Sequence, residues 1–523
     1  MTKGKLLRST GIIGIATTTS RVLGFVRDIL FARLFGTNIF AQAFVVAFRL
    51  PNMLRDMVGE GATDAAIVPV LTEYKHTRTL EEYWEAARVI FYMMLAVLMI
   101  LSLFGVVFAP VLVRVMAPGF IRDPEKFATA VFLTRTVFPY VFFLGMVAYS
   151  KGVLNSFHYF ITPAFAPVVL NISLILTLLF LCPAIGIKGM VLGVLIGGFL
   201  EALLQVRPLV KRGFRLGRKV VIAHPIAKRI ANLLLPRALG SAVYQMSVLV
   251  DTVLASFAGI VGSGGVAALY YSNRLVQLPL AVFGISLATA ALPRMSREVS
   301  TNDMGQLRDT ISFSLRTVFT IMAPAAVGLM ILARPMIRVL FQRGEFTEYS
   351  TGITSNALFF YSFGLIAYAG IKILVNAYYA MGDTRTPVRT ASISLGINLV
   401  LNLILMWPLK LGGLALATSI AATCNFIMLY RILVKRVGDI GTKDMIAVFL
   451  KVLAAAGIMG ICAAGCAWLF LRTPGPSGIM DLFKLAATIL LSGLVYFCAA
   501  HMAGVAGARG LWRIAAGRFM VKR

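Results

Sequence analysis

Between Ser20 and Asp64 the sequence reads SRVLGFVRDILFARLFGTNIFAQAFVVAFRLPNMLRDMVGEGATD, and five arginines and three acids precede Asp64. The apolar runs between these charges are long enough to lie in a bilayer. A charge at mid-membrane costs about 2.5–3.5 kcal/mol on insertion scales, so such charges face a protein interior or a wet cavity. Most are arginine, whose planar fork grips carboxylates and phosphates through paired donors. The chemistry implied is anion binding inside a membrane. Arg21 and Asp28 are seven apart and share a helix face, with Arg27 on a neighbouring one. Arg49 precedes Pro51, a helix-bending residue, and Arg55 lies one turn beyond it. Asp56, Glu60 and Asp64 follow at i+4 steps as an acidic stripe.

A second set lies further along. Arg274 is flanked by Tyr270, Tyr271 and Asn273 and followed by Pro279, and it is the arginine of the second half that points to the same site. Arg135, before Pro139, stands either at that site or at the headgroups; Arg237, Lys151 and Lys372 read as interfacial. Asp251, Asn398, Asn402 and Thr418 offer oxygen ligands of the kind a hard cation takes, or helix–helix glue. Spacing leaves both readings open.

The elements that must position these residues are membrane spans. Of 523 residues, 59% are hydrophobic and 14% charged, where a soluble chain carries about a quarter charged. At about 20 apolar residues per span, fourteen helices are expected, centred near residues 15, 55, 100, 140, 172, 197, 245, 280, 325, 365, 398, 422, 458 and 490. The first two are weakest by hydropathy because of their charges. Lys3, Lys5 and Arg8 lead into a segment broken by Arg21, so no cleavable signal is expected. The segment 207–229 holds Arg207, Lys211, Arg212, Arg215, Arg218, Lys219, Lys228 and Arg229 without an acid, whereas 259–266 has no cation. The positive-inside rule then places both termini in the cytoplasm. The net charge of +29 sits in short loops between spans, a pattern of orientation and headgroup contact, so nucleic acid is not expected as a partner. The five cysteines form no CxxC pair, the four histidines have no ligand spacing, and no phosphate-binding or hydrolase motif is present. A transporter, not an enzyme, is expected.

The chain also repeats itself. RDILFARLFG at 27–36 aligns with VDTVLASFAG at 250–259, FRLP at 48–51 with NRLVQLP at 273–279, and GATDAAIVP at 61–69 with LATAALP at 287–293. VLNSFHYFITPA at 153–164 answers LVNAYYAMGDTRTPV at 374–388, and GIKGMVLGV at 186–194 answers KLGGLALAT at 410–418. Five matches in order at nearly one offset mark a duplicated six-helix unit. The expected divisions are 1–222 (helices 1–6), 223–436 (helices 7–12) and 437–523 (helices 13–14 and a basic tail). Two copies of one topology related by an axis along the membrane normal form a transporter architecture.

SRVLGFVRD, AFRLPNMLRDMVGEGA and YYSNRLVQLP resemble the MurJ (MviN) family of lipid II flippases, of the multidrug/oligosaccharidyl-lipid/polysaccharide exporter superfamily, and the resemblance extends over nearly the whole chain. It implies an all-α fold of fourteen transmembrane helices, two six-helix lobes plus two helices, around a V-shaped cationic cavity that opens alternately to either side. It implies transfer of an undecaprenyl-pyrophosphate-linked disaccharide-pentapeptide from the inner to the outer leaflet of a bacterial cytoplasmic membrane. A flippase for another polyprenyl-pyrophosphate-linked oligosaccharide is the alternative. The family's required arginines fall on Arg21, Arg27, Arg55 and Arg274; its gating acids match Asp28 and Glu60, with Arg49 where a basic residue is common. The sequence departs at Gln42, where some members have an acid, and at Asp56, where some have a second arginine. A sodium site of the family matches Asp251, Asn398, Asn402, Thr418 and the carbonyl of Leu414, with Asn402 replacing an acid. No cofactor is expected beyond a sodium coupling ion. The expected partners are lipid II and membrane lipids, with a functional link to cell-wall synthesis enzymes, and the expected state is a monomer.

Overall fold

The computed structural model describes residues 3–55, 63–217, 225–471 and 478–505. Every long element among them is a helix. The chain divides into two compact units, Met1–Phe257 and Ala258–Arg523. The first holds α1 (Lys3–Phe35), α2 (Ile39–Leu54), α3 (Thr63–Thr77), α4 (Leu80–Val107), α5 (Ala109–Met116), α6 (Pro124–Val137), α7 (Tyr140–Ser156), α8 (Ile161–Phe180), α9 (Cys182–Ile185), α10 (Ile187–Lys211) and α11 (Pro225–Ala255). The second holds α12 (Ala258–Val261), α13 (Gly265–Pro279), α14 (Ser286–Ser300), α15 (Met304–Ile331), α16 (Ala333–Phe341), α17 (Glu348–Ser362), α18 (Leu365–Ala380), α19 (Arg385–Leu409), α20 (Leu411–Val437), α21 (Thr442–Phe470) and α22 (Gly478–Met502).

Among the described residues ten helices are long and apolar enough to cross a membrane, and eleven if the 46° bent pair α17–α18 forms one span. Helices alone satisfy their backbone groups in hydrocarbon, and large apolar side chains such as Ile100, Phe180, Ile461 and Leu490 lie exposed on their outer faces. The chain is a multi-pass membrane protein. Fourteen spans are expected from the sequence; among the described residues Ile39–Leu54 and Gln245–Ala255 are shorter apolar helices.

Folding reveals the duplication in backbone devices that residue matching does not show. Leu80 begins α4 and Met304 begins α15; Ile187 begins α10 and Leu411 begins α20; each pair is 224 apart. The caps repeat at the same spacing. Thr79 caps α4 by accepting from the Glu82 N–H, and Asp303 caps α15 by accepting from that of Gln306. Asp123 caps α6 through Lys126 N–H, and Thr347 caps α17 through Ser350 N–H. These residue types differ, yet all place an oxygen on an orphan donor of the first turn. The expected pair Gly189 and Gly413 also does one job twice. A Cβ on Gly189 would lie 2.9 Å from the backbone N of Cys182, and one on Gly413 would lie 2.1 Å from the carbonyl oxygen of Leu405.

Packing draws its boundary later than the repeat does. The sequence starts over near 222, but α11 is held to the first unit at both ends. Ile226 and Ile230 enter a core built on Tyr83, Trp84, Phe91, Tyr149 and Leu209. Arg229 meets Glu73 through two bonds of 3.0 and 2.7 Å, and the Gly119 N–H donates to Ser256 Oγ at 2.9 Å. In the second unit α21 and α22 pack against α15, with the Tyr496 hydroxyl donating to Thr320 O at 2.6 Å inside a cluster of Ala323, Val452, Ala456 and Ala500.

The turns generate two predictions. Gly186 and Lys410 precede α10 and α20 with φ of 62° and 51°, a conformation costly for any residue with a Cβ. Lys410→Gly should stabilise the protein by about 1 kcal/mol in detergent unfolding, and Lys410→Ala should not. If both variants melt alike, backbone strain is absent there. Asp383, in the loop before α19, accepts from the N–H groups of Arg385 and Thr386 at 3.0 Å each, and its second oxygen accepts from the Thr386 hydroxyl and Arg436. The Thr386 N–H foremost, then its hydroxyl and Arg436, hold this carboxyl down at about 2. Its contribution is therefore complete above the ordinary value of 3.8 and is lost as pH falls toward about 2. Asp383→Ala should cost about 1 kcal/mol at neutral pH. It should also remove the part of the acid destabilisation that wild type shows between those values, read by thermal unfolding across that range.

Candidate anion-binding site

Asp28 of α1 is buried and Arg27 beside it is partly buried, their side chains 4% and 11% exposed. Arg27 Nη2 and Nε donate to Asp28 Oδ1 at 2.7 and 3.0 Å, and Nη1 donates to Asn171 Oδ1 at 3.1 Å. Asn171 of α8 is oriented by its own amide, which donates to Ser20 O, Ser20 Oγ and Pro167 O. Gly24 lies one turn before Asp28, and a Cβ there would sit 3.6 Å from Asn171 Oδ1, an ordinary contact between α1 and α8. The ion pair of α1 is thus Arg27–Asp28. Arg21, which shares a face with Asp28 by spacing, is exposed.

The α2 arginines are half-buried. Arg49 Nη2 donates to Thr252 Oγ1 of α11 at 3.1 Å, and Thr252 passes its own proton to Val248 O at 2.7 Å. Arg55 follows the last residue of α2 and lines a small cavity of about 20 Å³ with Leu54, Leu98, Leu101, Val141, Leu144 and Gly145. Tyr140 of α7 is fully buried. Gln42 is buried in α2 and accepts from Lys126 Nζ at 3.0 Å, while its amide donates to Thr37 O at 3.2 Å. Lys126 also lies 4.1 Å from the Phe120 ring centroid. Asp56 and Glu60 lie outside the described residues, as do the side chains of Asp64 and Arg237.

In the second unit Arg274 of α13 is half-buried. Its guanidinium carbon lies 4.9 Å from the Tyr270 ring centroid and Nη2 donates to the Tyr270 hydroxyl at 3.2 Å, a cation–π contact combined with a hydrogen bond. A π-helical stretch, Leu280–Ile285, follows Pro279 directly; such widened turns occur at functional positions. Arg135 and Lys372 are exposed.

The expected cation ligands divide between the units. Asp251 lies buried on α11 of the first. The other four come together on α19 and α20 of the second. Asn402 Nδ2 donates to Asn398 Oδ1 at 3.1 Å, Asn398 Nδ2 to Thr418 Oγ1 at 3.1 Å, and Thr418 Oγ1 to Leu414 O at 3.0 Å. This chain of bonds joins two helices and presents three oxygens, Asn398 Oδ1, Thr418 Oγ1 and Leu414 O, in one row.

Asn171 and Thr252, which bond Arg27 and Arg49, escaped sequence reasoning. Each is a polar residue in an apolar stretch, a signal that names no partner. Glu201 is the acid of α10 and is 4% exposed.

Residues 31–487 match the family model described as lipid II flippase MurJ. A Burkholderia cenocepacia protein named "Lipid II flippase MurJ" is 31% identical over 94% of this chain and 96% of its own. A Haemophilus influenzae protein named "Probable lipid II flippase MurJ" is 34% identical over 94% of this chain and 98% of its own. Among solved structures, "Lipid II flippase MurJ, inward closed conformation" superposes with a TM-score of 0.78 at 27% identity, covering 94% of this chain and 98% of that one. An inward-facing multidrug transporter of the MATE family and MOP superfamily shares the fold, with a TM-score of 0.67 at 15% identity over 81% of this chain and 96% of that one. The chain belongs to the MurJ family of lipid II flippases.

Proposed function

We propose that this protein carries lipid II, the polyprenyl-pyrophosphate-linked precursor of peptidoglycan, from the inner to the outer leaflet of the bacterial cytoplasmic membrane by alternating access. Family membership over residues 31–487 supports the activity. The observation that carries the site is the concentration of guanidinium groups, Arg21, Arg27 and Arg55 in the first unit and Arg274 in the second, on or beside helices that are otherwise largely apolar. A pyrophosphate cannot cross hydrocarbon alone. Arginines offer it charge-assisted, bidentate bonds, and the polyprenyl tail stays in lipid.

Asp28 and Asn171 occupy the donors of Arg27. An arriving pyrophosphate competes with both, so Arg27 is held in place and kept from an empty hydrocarbon environment until the anion replaces its partners. Glu60 and Arg49 serve the same gating role on α2 and beyond it. No bond of the substrate is made or broken, and the protein acts as a transporter. Both termini lie in the cytoplasm, the protein works as a monomer, and it supplies the enzymes that polymerise the cell wall.

We assign sodium coupling to Asp251, Asn398, Asn402, Thr418 and the Leu414 carbonyl. Asn398, Asn402, Thr418 and Leu414 O supply neutral oxygens, suited to a weakly charged ion; Asp251 supplies the charge. Asn402→Asp should add a second charge and lower the sodium concentration needed for half-maximal thermal stabilisation by at least tenfold, with Asp251→Ala abolishing the response. A wild-type protein insensitive to sodium removes the ion from the account.

The transport reading is tested by depleting the protein in its host and measuring lipid II accessible at the outer leaflet. Depletion should remove that pool. Arg27→Ala, Arg55→Ala and Arg274→Ala should each fail to restore it, losing about 10- to 100-fold in activity for a lost charged contact of about 1.5–3 kcal/mol. Arg21→Ala should do the same, and lysine replacements should recover only part of the loss. Full complementation by all four alanine variants would overturn the site.

A further inference from the structure

The transport reading leaves unused a cluster of basic and aromatic side chains where several helices of the first unit begin or end. Lys75, in the last turn of α3, donates from Nζ to Ser156 O at 3.2 Å and lies 4.2 Å from the Phe157 ring centroid. Arg212, just past the end of α10, donates from Nη1 to Pro208 O at 2.9 Å. Its guanidinium carbon lies 4.1 Å from the Tyr159 ring centroid. Phe157 and Tyr159 belong to one turn, between α7 and α8, so that turn carries both cations on its rings. Trp84 of α4 joins the two sides, stacking on Phe157 at 5.6 Å and meeting Phe214, two residues after Arg212, at 6.0 Å. Both cations are half-buried. Neither has an acid partner among the described residues: Glu73 gives both oxygens to Arg229, and Glu82 closes the cap of α4. Burial first, and then the charge of Arg212, push the Lys75 ammonium below its ordinary 10.5.

The second unit holds the same turn with its charge balanced. The Tyr159 N–H donates to Leu154 O at 3.0 Å, and the Asp383 N–H to Tyr378 O at 2.9 Å. The residue before each is left-handed, with φ of 57° at His158 and 74° at Gly382. At the same spacing of 224 residues Arg436 answers Arg212, Asp383 answers Tyr159 and Thr386 answers Thr162. In the second unit Arg436 and Thr386 both donate to Asp383 Oδ2, at 2.6 and 2.7 Å. In the first, the Thr162 hydroxyl donates to that of Tyr159 at 3.0 Å, and Arg212 covers the ring. The contacts are kept and the acid is gone. The stretch 299–301, which answers Lys75, reads Val, Ser, Thr. The first turn therefore differs from its copy by one negative charge lost and one positive charge gained.

We propose that Lys75 and Arg212 bind a phosphate group at this end of the first unit. A guanidinium has five donors and an ammonium three; each here gives one to a backbone carbonyl, of Pro208 and of Ser156. The donors left over suit a tetrahedral anion, with two oxygens on the guanidinium edge and a third on the ammonium. The rings attract each cation without neutralising it. A phosphate supplies the charge that Asp383 supplies in the second unit. The apolar spans Leu80–Val107, Pro124–Ser156, Ile161–Phe180 and Ile187–Lys211 each begin or end within a few residues of this cluster. That is the level at which a phospholipid carries its phosphate, and basic pockets there take anionic headgroups. The site shares no residue with the transport arginines.

The test uses the full chain in a neutral detergent, with thermal unfolding as readout. The probes are a short-chain phosphatidylglycerol, the matching diacylglycerol without phosphate, and inorganic phosphate against chloride at equal ionic strength. Phosphatidylglycerol, inorganic phosphate or both should raise the unfolding midpoint of wild type saturably, and diacylglycerol should not. Lys75→Gln and Arg212→Gln should each need at least tenfold more of the active probe for half the effect. Tyr159→Asp, which places the second unit's acid beneath Arg212, should lose the response as Arg212→Gln does. Lys75→Gln lies on another helix and carries the test if Arg212→Gln does not elute as a folded protein. A response to the phospholipid alone assigns the site to a headgroup, and one to inorganic phosphate assigns it to a soluble phosphate as well. A wild type that answers neither phosphate probe overturns the proposal. So does an equal response to diacylglycerol without one to inorganic phosphate, or folded variants that respond at the wild-type concentration.

Discussion

A guanidinium placed among apolar helices must be neutralised where it stands, because the surrounding lipid offers nothing to solvate it. Much of the first unit follows from that requirement. Arg27 is paired with its own neighbour Asp28 and then tied to Asn171 on α8, and Asn171 is in turn fixed by three acceptors on two helices. The charge therefore dictates a helix–helix contact between α1 and α8. A protein without an anion to bind could satisfy the same crossing with alanine and leucine. Retaining a buried ion pair there is seldom the most stable choice, which is why its presence argues for use and not for stability.

The second unit solves the same problem by different means. Arg274 has no adjacent acid in sequence; it leans on the face and hydroxyl of Tyr270 one turn earlier. A ring quadrupole offsets a guanidinium more weakly than a carboxylate does, and releases it more readily. Duplication has preserved the scaffold, down to caps and left-handed turns at a spacing of 224 residues, while the electrostatics of the two copies have diverged.

The helical architecture, the duplication and the arginine-rich helices were legible in the sequence because each is a periodic or compositional signal, carried by many residues at once. The pairing was not. Spacing placed Arg21 on the face of Asp28, but Arg27 bends back to its neighbour because a long flexible side chain reaches across a face that Cβ positions alone assign elsewhere. Packing also moved the boundary of the first unit past the repeat boundary, since the sequence records where a gene segment was copied and not which unit the copied helix α11 leans on. Asn171 was visible as a polar residue in an apolar run, but such a signal names a candidate without naming its partner. Only the fold brings Asn171 to Arg27.

Gln42 shows how a departure from the family pattern is absorbed. An acid at this position would form a full ion pair with the buried Lys126, but it could not donate to Thr37 O. Glutamine accepts from Lys126 with one atom and donates to Thr37 with the other. It exchanges Coulomb attraction for a second hydrogen bond, and Phe120 supplies part of the missing stabilisation of the ammonium from its ring face. The two bonds sew α6 to the turn between α1 and α2, where Asn38 caps α2 through the Ala41 N–H. The exchange is therefore confined to one end of these helices. Arg27 keeps Asp28 and Asn171, Arg49 keeps Thr252, and neither depends on the charge at position 42. A neutral residue there changes how firmly α6 holds the turn and leaves the arginines to the partners that the rest of the first unit provides.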